Sequence, residues 1–202
     1  MDTSQFESLL AVLAPDGLRQ AVEIATIVMA IAAIYALFFA YRQIGVARKG
    51  TKATFIVDLD RRWEGPDMRE ARVLWSEIHS YVVQNVETRY PELTNDRKVE
   101  KQSEVCSQVL YSMLKDDPRK YASFMQIIGF FETIGYTVNR GFLTGEEIAD
   151  LYGESILEFD RLCRNHITKR QEDLQRETGA PTKLYEHAFA LIDETRRFYG
   201  LK

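Results

Sequence analysis

Glu132 is the first place in this sequence to look for chemistry. It is a carboxylate set in the apolar run FMQIIGFFETIGYTV. Burial raises a carboxylate's pKa unless a cation or hydrogen bonds offset the effect, so a proton-linked or ligand-sensing group would be built this way. Structural networks perturb carboxylates as well. The blander reading is a buried ion pair with Arg140 or with an arginine of another helix, or exposure on the polar stripe, and it is the expectation adopted. A second cluster is Cys163-Arg164-Asn165-His166, which sets a thiol and an imidazole one helical turn apart. With Cys106 and His187 it would supply four zinc ligands, but the spacing of those two does not support a site. A buried cysteine beside an exposed histidine is expected instead. A Cys–His nucleophile would also need a third, orienting group and a cleft.

Other chemistry-bearing residues have simpler uses. Trp63 and Trp75 would suit a ligand pocket, but their place on apolar helical faces predicts core packing. Lys49-Gly50-Thr51 lacks the preceding glycine and the spacing of a phosphate loop. The sequence holds no HExxH, nucleophile elbow or dinucleotide fingerprint. The expectation is a protein that is not an enzyme, with no catalytic residue, no metal and no cofactor.

The elements that must position these residues begin with a membrane segment. Ile24 to Tyr41 carries no charge and at a helical rise covers roughly 27 Å, close to a bilayer's hydrocarbon core. Glu23 and Tyr41 mark its two interfaces. A cleaved signal would begin with a basic region; this N-terminus has Asp2, Glu7 and Asp16 against Arg19. Arg42, Arg48, Lys49 and Lys52 crowd the C-terminal flank, which the positive-inside rule places in the cytosol. Next to anionic lipid each such cation gains about 1 kcal/mol, so this basic flank is read as lipid-facing. Before the span, Phe6, Leu9, Leu10 and Leu13 share one helical face and suit a short interfacial helix ahead of a turn at Pro15-Asp16-Gly17. Within the span, Ala32, Ala36 and Ala40 recur every fourth residue, a ridge that lets helices approach closely in lipid and suggests self-association.

The remainder reads as water-facing. The chain has 202 residues, 26 Lys and Arg against 30 Asp and Glu, and a net charge of −4. That mixed balance lacks the dense basic face of a nucleic-acid binder, so no nucleic acid is expected. Two distant cysteines do not make a disulfide framework. Apolar spacing predicts helices over about 67–82, 94–114 and 118–139, with Gln84 to Leu93 as a loop. The most apolar of these, from Pro118, belongs in the middle of a bundle; Glu132 near its centre argues against a second span. Thr144 and Glu147 form a capping box that opens the next helix. Lys169 to Glu177 should be a solvated extension, and Thr182 should cap a last helix. The fold class is all-α: an N-terminal transmembrane helix followed by a cytosolic bundle of about five helices. The expected divisions are a tail over 1–20, a span over 21–42, a basic helical connector over 43–64 and a cytosolic domain over 65–202.

The stretch FFETIGYTVNRGFLTGEEIADLYGESILEF, residues 130–159, resembles the core of a family of small bacterial single-span membrane proteins known only as a domain of unknown function. RRWEGPDMREAR (61–72) and PTKLYEHAFALID (181–193) support the resemblance. It implies a bacterial inner membrane and carries no activity, substrate or catalytic residue. Three functions remain open. The leading one is a membrane-anchored interaction, scaffold or sensing module whose partners are membrane lipids, a second copy or another protein. The alternatives are an oligomeric effector that perturbs permeability, as in toxin or phage-defence systems, and an enzyme with unrecognised chemistry around Glu132.

Overall fold

A computed structural model describes residues 15–201, with side chains from Arg19 onward. All of its regular structure is helical: α1 (Pro15–Trp63), α2 (Pro66–Arg89), α3 (Asn95–Asp116), α4 (Pro118–Asn139), α5 (Gly145–Thr178) and α6 (Glu186–Phe198). The candidate interfacial helix over Phe6 to Leu13 lies outside the described residues. Pro15, expected in a turn, is instead the first residue of α1, a position where its missing N–H costs nothing.

The chain divides into two units between Phe55 and Ile56. The first holds an apolar helical stretch long enough to cross a membrane. Its side chains find no cover within the chain: Ile24, Ile34, Leu37 and Tyr41 are 62, 67, 71 and 78% exposed. No proline interrupts α1 between Pro15 and Trp63, so Gly45 and Gly50 remain helical. Ala32, Ala36 and Ala40 are exposed, as are Arg42, Arg48 and Lys49, while Lys52 is half-buried.

The second unit is a five-helix bundle, joined by the last two turns of α1. Residues 56–63, placed in the connector by sequence, include core positions: Leu59 and Trp63 are buried. The Trp63 ring lies 5.0 Å from Phe130 and 6.0 Å from Phe131. Gly65 and Pro66 then turn the chain, and Arg72 braces the corner. Its guanidinium sits 5.1 Å over the Trp63 ring and makes two hydrogen bonds to the Glu64 carboxylate, at 3.0 and 3.1 Å.

Helix α2 continues to Arg89, through most of the expected loop. Val86, one turn beyond Val82, is fully buried, and Glu87 pairs with Lys98 of α3 at 2.5 Å. One apolar anchor and one ion pair are enough to keep a polar-looking segment helical. Helix α4 lies against α2, α3 and α6, as its apolar girth predicts, with Phe124, Ile127, Ile128, Phe130, Phe131 and Ile134 fully buried. The capping box at Thr144 and Glu147 is formed. Helix α5 ends at Gly179, whose φ of 69° is the left-handed cap conformation.

Two expectations at the far end fail. Lys169 to Glu177 is only partly solvated, because the Tyr111 hydroxyl donates to Asp173 Oδ2 at 2.6 Å and the Gln171 amide donates to the Leu184 carbonyl. Thr182 does not cap a helix: α6 starts at Glu186, with Tyr185 at its N-cap in the left-handed region.

Candidate functional site

Three polar groupings interrupt the apolar interior. The first contains Glu132. Helix α6 has no side-chain cap of its own, which leaves its first amides in need of an acceptor. Glu132 supplies one from across the bundle: the Ala188 N–H donates to its Oε2 at 2.7 Å. The carboxylate also suits the positive end of the helix dipole. Gly135, one turn along α4, makes the approach possible, because a Cβ there would collide with the His187 carbonyl. Arg140, expected to be a buried partner for Glu132, is exposed and lies 5.3 Å over the Tyr136 ring. Glu132 is thus answered by a backbone amide rather than by a cation.

The second grouping centres on Asp160 of α5, whose side chain is 1% exposed. Arg164 Nε donates to its Oδ1 at 2.6 Å, and Arg196 of α6 lies 3.0 Å from Oδ2. Arg164 also reaches Asp193 at 3.5 Å and stacks over Phe189. A buried carboxylate must be paired, and here two guanidiniums pair it while joining α5 to α6. The neighbouring Arg161 bonds to Gln102 and His79. Asp160, Arg161, Arg164 and Arg196 line an open groove on the α3 side of α5.

The third surrounds His166, which is fully buried and so corrects the expectation of an exposed histidine. It falls on the same face of α5 as Phe159, Leu162 and Cys163, and α3 and α4 cover it with Tyr111 and Tyr121. The Tyr121 hydroxyl lies 2.9 Å from His166 Nε2, and the Tyr111 ring packs edge-on at 4.8 Å. Burial, helped by the charge of Arg170, pulls the His166 pKa down to about 4. The ring is therefore neutral near pH 7. Its Nδ1 is buried and has no hydrogen-bond partner among the described residues, and whether Nε2 or the Tyr121 hydroxyl donates depends on the tautomer. Burial also raises the Tyr121 pKa, against an opposing effect of Arg170. Tyr111 is pushed up to about 12 by burial and by its bond to Asp173.

Cys106 and Cys163 are buried free thiols, as expected. Cys163 is held well above the usual thiol range by burial, with the Cys106 thiol against it, so it is a poor nucleophile near neutrality. His187 lies elsewhere, against Tyr136 and Asn139. Among the described residues no cluster of His, Cys, Asp or Glu has the arrangement of a metal site. Trp63 and Trp75 are core residues.

Sequence reasoning found Glu132 but overlooked Asp160 and misplaced His166. Their signal was present: Ile156, Phe159, Asp160, Cys163 and Ile167 keep the spacing of one buried face, and His166 comes one turn after Leu162. No family model, curated protein or solved structure matches the chain.

Proposed function

We propose that this protein is a single-pass protein of a bacterial inner membrane, with its N-terminus outside and its helical bundle in the cytosol, acting as an interaction or sensing module. The observation that carries the reading is the uncharged stretch of α1. Its apolar side chains are half to four-fifths exposed, and water is a poor solvent for that much hydrocarbon. Arg42, Arg48 and Lys49 favour a cytosolic location for the C-terminal side of the span and for the bundle beyond it. The bundle's polar groups support a non-catalytic role, since Glu132 and Asp160 are engaged in joining helices. Membrane lipids are partners of the span and its flank, and the alanine ridge supports self-association.

Thiol labelling tests the topology cleanly, because Cys106 and Cys163 are buried. In intact spheroplasts a membrane-impermeant maleimide should label Ser4→Cys but not Glu177→Cys. Both should react after permeabilisation. Labelling of Glu177→Cys in intact spheroplasts would overturn the orientation, and recovery of the protein in the soluble fraction would overturn the anchor.

A further inference from the structure

A groove of about 400 Å³ opens between the first turns of α4 and the last turns of α5, with Leu184 and Tyr185 as its far wall. Met125, Ile167, Leu174 and Leu184 make most of that lining hydrocarbon. One cation, Arg170, lines it, and no carboxylate does. The contrast with the Asp160 groove is direct. There, two of the arginines already face acids; here the guanidinium faces phenols. Asp173, the acid one turn along α5, is bonded to Tyr111 and to Arg176 at 2.5 Å, and feels the charge of Arg170 only after these.

Two further observations mark the groove as a built site. His166 Nε2 lies 2.9 Å from the Tyr121 hydroxyl and holds in place the phenol that, beside Arg170, forms the floor. Tyr185 has φ 60° and ψ 30°, a left-handed conformation that among the described residues no other non-glycine adopts. Such strain persists only where the surroundings over-determine it. The Gln171 amide does so by holding the Leu184 carbonyl.

A guanidinium at the edge of an apolar groove matches a planar monoanion with a hydrocarbon tail, since carboxylates accept two parallel N–H bonds from arginine. The volume falls in the range of small-molecule sites. We propose that this groove binds a medium-chain monocarboxylate, its carboxylate on Arg170 and its tail along Met125, Ile167, Leu174 and Leu184. This goes beyond the anchoring role and does not depend on where α1 resides.

The test is calorimetric titration of octanoate into the full chain in lipid nanodiscs, with empty nanodiscs subtracted for partitioning. Saturable binding is expected. Octanol, which keeps the tail, and acetate, which keeps the head, should each bind about tenfold more weakly or worse. Arg170→Gln should lose about tenfold or more in octanoate affinity. Ala122→Trp, which fills the exposed rim and leaves Arg170 in place, should also abolish binding, and it decides the matter if Arg170→Gln folds poorly. The proposal is overturned if no saturable heat exceeds that of empty discs. It is equally overturned if octanol matches octanoate, or if a folded Arg170→Gln or Ala122→Trp binds as the parent does.

Discussion

The apolar stretch of α1 and helix α4 are made of similar residues and meet opposite surroundings. Ile27, Val28, Phe38 and Phe39 of α1 are 56–59% exposed, whereas Ile127, Ile128, Phe130 and Phe131 of α4 are fully covered. A helix that is hydrophobic all round belongs either to lipid or to a protein core. What separates the two is a small set of residues in α4 that only another helix can satisfy. Glu132 needs a donor and finds the Ala188 amide. Gly135 leaves a gap that only a closely approaching backbone fills. The stretch from Ile24 to Tyr41 has no carboxylate, cation or imidazole, so lipid can cover it all.

The largest test of that difference is truncation of a phenylalanine on each side. Phe131→Ala should destabilise the bundle by about 3–5 kcal/mol, because its ring touches Trp63, Phe130 and Phe159. Phe38→Ala should leave bundle stability unchanged. Trp63 and Trp75 both lie in the second unit, so thermal melting followed by tryptophan fluorescence reads the bundle alone. A large loss from Phe38→Ala would break the comparison.

Acid should find the bundle next. His166 has its pKa pulled down to about 4, below the unfolded value of about 6.5. Between these values the unfolded chain binds more protons, so stability falls as pH drops from 6.5 to 4. The full effect is about 3 kcal/mol. His166→Phe should flatten this part of the pH profile of the melting temperature, and an unchanged slope would remove the histidine from the account.

Smaller effects separate the two helices by their smallest residues. Gly135→Ala should cost about 1–3 kcal/mol, as overpacking against backbone does. Ala36→Leu should leave the melt alone and lower the oligomer mass seen by light scattering in detergent, if the alanine ridge associates. The mildest change is Glu132→Ala, worth about 1–2 kcal/mol for a lost helix cap. Faster amide exchange confined to Glu186–Ala188 would be its signature, and uniform exchange across α6 would deny the cap.

Much of this architecture was legible because it is local. Helix α4 could be read from Pro118 to Asn139, and the start of α5 from Thr144 and Glu147. The errors came where a distant segment decides. Val86 keeps α2 helical only because the bundle buries it. Thr182 loses the start of α6 because the cap comes from Glu132, more than fifty residues earlier. His166 reads as exposed until Tyr111 and Tyr121 arrive from α3 and α4. The groove around Arg170 was invisible for the same reason, since its lining comes from three separated segments.

The bond between Glu132 and Ala188 also sets a waiting time during synthesis. Its partners are 56 residues apart. At cellular translation speeds the ribosome takes roughly 3–11 s to cover that interval. Until then α4 has emerged with one flank open, and a very apolar helix waits uncovered on that side. Over those seconds its contacts with α2 and α3 are the cover available to it. A stalled product that lacks α6 would expose what proteolytic quality control recognises.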